Sequence, residues 1–175
     1  MADVTAVRIP QRVLVVSGAF GPGLDAERVV GAIARGLQAG GRPEPDLCPL
    51  PPTPANAWPR RALAGEQPAS PSSVDAEWEP GDVRELLDSL RFDARMRASR
   101  AVIVGTQRLH ERTLAGSVTF ELATRARQGG VPAYAVTGEN ALDAFDARML
   151  DLQLIVQATG ARALAAAGRR LASVV

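Results

Sequence analysis

One stretch, residues 100–136, constrains the fold of this chain more than any other. It reads RAVIVGTQRLHERTLAGSVTFELATRARQGGVPAYAV, and its pattern predicts a strand, a turn, a helix and a second strand. The short apolar run at residues 101–104 is typical of a strand buried in a parallel sheet. We expect Gly105 to let the chain turn and Thr113 to cap the helix, whose apolar stripe includes Leu114.

The rest of the chain continues this alternation of strands and helices. Predicted strands cover residues 12–17, 46–48, 101–104, 133–136 and 152–156, and predicted helices cover residues 25–39, 82–90, 113–128, 140 or 141–150 and 160–173. We therefore predict one α/β domain over residues 1–175, Rossmann-like or flavodoxin-like. Its open parallel five-stranded sheet would have the order 2-1-3-4-5, with helices on both faces.

This strand order predicts where a ligand would bind. Ligands of open α/β sheets bind beyond the carboxyl ends of the strands, at the point where the strand order reverses. Here that point lies between the first and third strands, and N-termini of helices near Asp25 and Thr113 would favour an anion. The candidate ligand-binding residues are Ser17, Gly18, Phe20, Gly21, Gly105, Thr106, Gln107, Arg108, His110, Thr113 and Ser117, with Ala19 in the same loop.

Several of these residues also have a simpler interpretation. The loop glycines are accounted for by tight turns alone, and Arg108 by a surface position. His110 is the only histidine, and beside Glu111 it is accounted for by a solvated position. Asp25 suits a helix N-cap better than a magnesium ligand.

The sequence lacks the side chains that phosphoryl transfer requires. Such chemistry needs positive charge on the transferred group and oxygen ligands for magnesium. All 20 basic residues are arginine, so the chain contains no lysine, and it has no Walker-type motif. No pair of carboxylates follows a predicted strand. We therefore predict no catalytic residue and no metal ligand.

Three segments resemble the bacterial glycerate kinase family. The turn after the third strand keeps seven family residues in register, and residues 92–95 (FDAR) lead into that strand as they do in the family. Residues 13–37 follow the family's first strand, loop and helix. The seven residues are Gly105, Arg108, Leu109, Thr113, Leu114, Ala115 and Gly116. The resemblance implies a domain similar to the family's Rossmann-like first domain.

The departures from the family pattern concern its charged residues. Gly18, Ala19 and Gly21 stand where the family's first loop carries aspartate, serine and lysine. In the later turn, Thr106, Gln107, His110 and Ser117 stand where the family has glutamate, glycine, aspartate and lysine. A proline-rich segment, residues 51–80, replaces both the acidic motif and the inserted second domain.

Three functional hypotheses remain open. The first is a non-catalytic glycerate-kinase-like domain, without cofactor, that binds a small anionic ligand or a protein partner. The second is an active kinase that phosphorylates glycerate or a related hydroxy acid with ATP and magnesium, with a second subunit completing its site. The third is a flavodoxin-like or receiver-like module, although the acids and lysine of a receiver are missing and SGAFGPG is poor in the serine and threonine expected for FMN.

Composition narrows the class of partner. A net charge of +1 with scattered arginines argues against nucleic-acid binding, and no apolar run is long enough for a membrane span. We expect a cytoplasmic protein in which the single cysteine, Cys48, is a buried small hydrophobe. Residues 43–80 hold ten of the 13 prolines and both tryptophans, Trp58 and Trp78. This segment would cover the domain's own surface or contact a partner, including a second copy of the chain.

Overall fold

Strands and helices alternate along most of the chain in the computed structural model, which describes residues 12–52, 80–110 and 117–175. The strands in these ranges are β1 (Val13–Ser17), β2 (Asp46–Pro49), β3 (Ala101–Leu109), β4 (Ala133–Asn140) and β5 (Leu152–Gln157). The helices are α1 (Ala26–Ala39), α2 (Pro80–Ser89), α3 (Phe92–Arg97), α4 (Val118–Gln128), α5 (Ala144–Met149) and α6 (Ala161–Leu171). The proline-rich segment with Trp58 and Trp78 lies almost entirely outside these residues.

The five strands form one sheet in the order β2-β1-β3-β4-β5. Every neighbouring pair is parallel, as connections through a helix require. The predicted α/β class and strand order are confirmed. No helix in the described part of the chain is long and apolar enough to cross a membrane.

Both faces of the sheet are buried, which explains why β1 reads as a continuous apolar run. Val13 and Val15 pack on one face in a cluster with residues of α1 and α6. Leu14 and Val16 pack on the opposite face with residues of α2, α3 and α4. Cys48 belongs to the second cluster and is 1% exposed, so its prediction as a buried hydrophobe is confirmed.

The structure corrects the prediction that the chain turns at Gly105. β3 continues through Gly105 to Leu109, and β4 likewise runs beyond its apolar part to Asn140. The two extensions pair with each other, Arg108 lying opposite Glu139 in the ladder. The side chains in these extensions are mostly polar, so the apolar pattern did not reveal the true ends of the two strands.

The start of α4 is a second correction. The predicted cap Thr113 lies outside the described residues, and α4 instead begins at Val118 with Ser117 as its N-cap. The Ser117 hydroxyl accepts a hydrogen bond from the Phe120 backbone N–H at 3.2 Å. The cap predicted at Asp25 is confirmed, because its carboxylate accepts from the Arg28 N–H at 2.8 Å.

Two further helices differ from expectation. Helix α3 was not predicted, and its six residues follow Arg91, which has a left-handed conformation with φ of 52°. α5 begins later than predicted, at Ala144, because β4 takes up the chain as far as Asn140. Asp143 caps α5 by accepting from two backbone N–H groups.

Candidate functional site

A cleft of about 220 Å³ lies beyond the carboxyl ends of the strands. Its walls come from the loop after β1, the ends of β3 and β4, and the loop after β5. The lining residues are Phe20, Leu24, Gln107, Arg108, Gly138, Glu139, Thr159 and Gly160. Pockets for drug-sized ligands usually measure about 300–1,000 Å³, so this cleft suits a smaller molecule.

The loop after β1 forms the apolar wall of the cleft. The Phe20 N–H donates to the Leu24 carbonyl at 2.8 Å, and the Leu24 N–H donates to the Gly21 carbonyl at 3.1 Å. Gly21 and Gly23 have φ of 119° and 81°, which side chains disfavour. The turn therefore closes on itself and fixes Phe20, which is 8% exposed, against the sheet.

Gln107 contributes an unpaired polar atom beside this turn. Its Oε1 is buried and has no hydrogen-bond partner in the described structure. A Cβ on Gly21 would lie 3.6 Å from Nε2 of Gln107 and 3.7 Å from Oε1. Buried acceptors without a partner are uncommon in native proteins.

An ion pair stands at the rim of the cleft. Nε of Arg108 donates to Oε2 of Glu139 at 2.8 Å, and the two side chains are 47% and 57% exposed. The pair is aligned by the β3–β4 ladder, in which these residues are partners. Exposed ion pairs stabilise a fold by only about 0–1 kcal/mol. A charged ligand could therefore replace one partner of this pair with little loss of folding stability.

The N-terminus of α6 adds backbone donors on the far side. Gly160 lines the cleft and is the N-cap of α6, with φ of 83° and no side-chain hydrogen bond to the first turn. The first N–H groups of a helix lack partners within the helix, and the dipole makes this end positive. A carboxylate at this wall would be favoured.

Three residues predicted to bind a ligand line the cleft, namely Phe20, Gln107 and Arg108. Gly21 does not line the cleft, but it lies next to the side chain of Gln107, which does. Gly18 follows β1 and is half-buried. For all of these residues, ligand binding stays a prediction.

The other predicted residues in the described ranges are not among those that line the cleft. Ser17 is fully buried, and its hydroxyl donates to the Gly18 carbonyl at 2.8 Å. Gly105 is buried within β3, and the Thr106 hydroxyl donates to the Arg108 carbonyl at 3.3 Å. His110 is half-buried directly after β3. As described above, Ser117 caps α4 and Thr113 lies outside the described residues.

Sequence reasoning missed the residues contributed by β4 and β5. These are Gly138, Glu139, Thr159 and Gly160, together with Leu24 from the first loop. A signal was present, because Thr159 and Gly160 fall between a predicted strand and a predicted helix. The reversal of strand order points only to the ends of the first and third strands, and these four residues follow other strands.

The described cleft residues do not fit a magnesium–ATP site. Glu139 is the one carboxylate among them and is already paired with Arg108, whereas magnesium prefers carboxylates together with substrate phosphates and water. Across the described ranges, no three His, Cys, Asp or Glu side chains are grouped so that they could hold a metal ion.

Comparison with known proteins decides the family. The model of the glycerate kinase family matches residues 65–173, more than half of the chain. The chain belongs to the glycerate kinase family. This confirms the resemblance seen in the sequence. No curated protein matched this glycerate kinase family member.

Solved structures similar to this family member share little sequence with it. Glycerate kinase 2 from Salmonella typhimurium LT2 aligns at 18% identity and a TM-score of 0.40, over 53% of this chain and 26% of that one. A pilus assembly-related protein from Burkholderia pseudomallei aligns at 15% identity and 0.43, over 94% and 92% of the two chains. A diflavin flavoprotein from Nostoc sp. aligns at 13% identity and 0.42, over 93% and 92%. The chain spans about a quarter of glycerate kinase 2.

Proposed function

We propose that this member of the glycerate kinase family binds a small carboxylate-bearing molecule in the cleft and does not itself transfer a phosphoryl group. One observation supports the proposal: Arg108 and Gly160, the N-cap of α6, both belong to the lining of the cleft. Arginine binds carboxylates bidentately, and a helix N-terminus favours negative charge. Both groups are suited to a carboxylate.

The residues around the cleft also argue for binding without phosphoryl transfer. The chain has no lysine to neutralise a transferring phosphate. Glu139 is engaged by Arg108 at 2.8 Å, and the volume of about 220 Å³ is small for a nucleotide together with a second substrate. A protein partner at the proline-rich segment remains a separate prediction.

Calorimetric titration of the purified chain with a panel of small carboxylates, glycerate among them, tests the binding. We expect at least one to bind at millimolar or lower concentration and to raise the melting temperature. Arg108→Gln should abolish that binding, whereas Arg148→Gln, which changes an exposed arginine of α5, should preserve it. Absence of binding by every carboxylate would contradict the proposal.

A phosphoryl-transfer assay tests the second half of the proposal. The chain is incubated with ATP, magnesium and glycerate, and phosphorylated glycerate is measured. We expect no product above the level of an Arg108→Gln control. A product formed by the unmodified chain, or a magnesium-dependent rise in melting temperature with ATP, would instead support the kinase hypothesis.

A further inference from the structure

We propose that the outer face of helices α1 and α6 is a docking surface for an acidic segment of another protein. The proposal is independent of the cleft, because it concerns the side of these two helices that is not packed against the sheet. It rests on arginines that are far apart in the sequence and become neighbours when the two helices pack. Clustered charge of one sign on a surface attracts partners of the opposite sign.

The two helices lie side by side and run in the same direction. A Cβ on Gly36 in α1 would lie 2.8 Å from the backbone nitrogen of Arg169 in α6, and a Cβ on Gly40, one turn later, would collide with the Cβ of Ala172. The contact therefore moves forward along both helices together. Beyond the end of α1, Nε of Arg42 donates to the Ala172 carbonyl at 2.7 Å. The two helices are thus held in a fixed register.

Exposed arginines form two rows along these helices. Arg28 and Arg35 are seven residues apart in α1, and Arg162 and Arg169 are seven residues apart in α6. Seven residues make about two turns, so the members of each pair lie on one side of their helix, about 10 Å apart. Because Arg169 contacts Gly36, which follows Arg35, the two rows lie level with each other.

The positive charge of this face is mostly uncompensated. Nε of Arg28 lies 3.6 Å from the carboxylate of Asp25, and Glu27 is the other exposed acid of α1. Helix α6 contains no acid. Among the residues that the structure describes, no acid forms an ion pair with the other exposed arginines of the face, which are Arg35, Arg162, Arg169 and Arg170. The net charge of the whole chain is only +1, so this face is much more positive than the average surface.

The position of Arg162 is not explained by the stability of its own helix. It is the second residue of α6, where the positive end of the helix dipole disfavours a cation. Arg169 and Arg170 lie in the last turn, where the dipole favours them. An anionic partner bound along the row would offset the unfavourable position of Arg162.

The size and composition of the face favour a short protein segment as the partner. Neighbouring helices lie about 8–10 Å apart, so the four arginines of the two rows mark a patch about 10 Å on each side. A helix with acids seven residues apart presents carboxylates at the same spacing, and arginine pairs with carboxylates bidentately. Neither α1 nor α6 exposes a large apolar or aromatic side chain, which single-stranded nucleic acids and lipid surfaces would use.

Fluorescence anisotropy with a labelled acidic peptide tests the docking. The probe is an alanine-based helical peptide of about 18 residues with glutamates along one side, and the control peptide has glutamine at those positions. We expect the acidic peptide to bind at submillimolar concentration, more weakly as salt is added, and the glutamine peptide not to bind. Failure of the acidic peptide to bind overturns the proposal. Tighter binding of a DNA duplex or of phosphatidylserine vesicles than of the peptide also overturns it, because the partner would then be of another class.

Two triple variants separate this face from the net charge of the chain. The first changes arginines of the face: Arg35→Gln, Arg162→Gln and Arg169→Gln. The second changes exposed arginines of α2, α4 and α5: Arg84→Gln, Arg127→Gln and Arg148→Gln. We expect the first to bind the acidic peptide at least about fivefold more weakly and the second to change its affinity by less than about twofold. Circular dichroism verifies that both variants are folded. Equal losses in the two variants would show that only net charge matters and would overturn the proposal.

Discussion

Ser17 and Gly105 are partners on adjacent strands, and the side chain of Ser17 occupies the space that a side chain at position 105 would need. A Cβ built on Gly105 would lie 2.6 Å from the Cβ of Ser17 and closer still to its Oγ. Real Cβ atoms do not approach other carbons so closely. Position 105 is therefore glycine because the sheet is crowded there, and no turn occurs at this residue.

Gly105→Ala should destabilise the fold by about 1–3 kcal/mol, the usual effect of overpacking a core. Chemical denaturation by urea measures the free energy of unfolding. Gly18→Ala is the matched control, because no atom lies within 4 Å of a Cβ at that position, and it should change stability little. Adding Ser17→Gly to Gly105→Ala should recover part of the loss; no recovery would contradict the assigned contact.

Helices α1 and α6 cross at glycines, and Gly168→Ala should destabilise their packing. A Cβ on Gly168 would collide with the Ile33 carbonyl oxygen, a backbone atom that cannot rotate away. The collision opposes the gain of about 1 kcal/mol that alanine brings to a helix interior, so we expect a net loss. Gly31→Ala in α1 meets only the flexible Arg35 side chain at 3.6 Å and should stabilise. Thermal unfolding measures the change in melting temperature for both variants. If the two changes have the same sign, this explanation is excluded.

Arg125 joins three helices, and Arg125→Leu should cost about 1.5–3 kcal/mol, the range for hydrogen bonds to charged groups. It pairs with Glu121 in α4 at 2.8 Å, Asp88 in α2 at 2.9 Å and Asp93 in α3 at 3.3 Å. Burial works to lower the pKa of Arg125, but the hydrogen bonds that it donates to Asp88 and Glu121 raise the pKa above its ordinary value.

The control for Arg125 is the exposed Arg127 of the same helix. Arg127→Leu should change the free energy of unfolding by no more than about 0.5 kcal/mol. A double-mutant cycle of Arg125→Leu with Glu121→Gln should give a coupling energy above zero. If the two substitutions change the free energy of unfolding additively, the Arg125–Glu121 pair does not contribute to stability.

Cys48 should make the fold less stable at alkaline pH. Burial raises the pKa of the Cys48 thiol, against the smaller opposing effect of Arg95. Above about pH 8.5 the unfolded chain loses the thiol proton while the folded chain retains it. The unfolded state then binds fewer protons, so the free energy of unfolding falls as pH rises.

Urea denaturation between pH 7 and 9.5 measures this effect. Cys48→Ala should show a smaller decline over that range than the unmodified chain, even if its stability at pH 7 is lower. Cys48 should also react slowly with a thiol reagent until the protein unfolds. Fast labelling of the folded protein, or identical pH profiles, would contradict the buried, neutral thiol.

The local pattern of residues was enough to predict most of the elements. The continuous apolar run of β1 and the Asp25 cap of α1 depend only on contacts along the chain and on burial of whole elements, and both were predicted correctly. The parallel sheet followed from the alternation of strands and helices, because parallel strands require helical crossovers. The glycerate kinase resemblance was carried by residues in fixed order, and this too is a property of the sequence.

Tertiary structure decided the length of β3 and the composition of the cleft. Polar residues after Gly105 remain extended because β4 pairs with them, and a pairing between residues about 30 positions apart leaves no periodic signal in either segment. The same pairing brings Glu139 to Arg108, and the loop after β5 adds Gly160 to the lining of the cleft. Sequence by itself determined most of the elements and their succession along the chain, because these depend on local propensity and burial. Only folding decided which side chains meet at the strand ends, because that depends on distances between segments far apart in the chain.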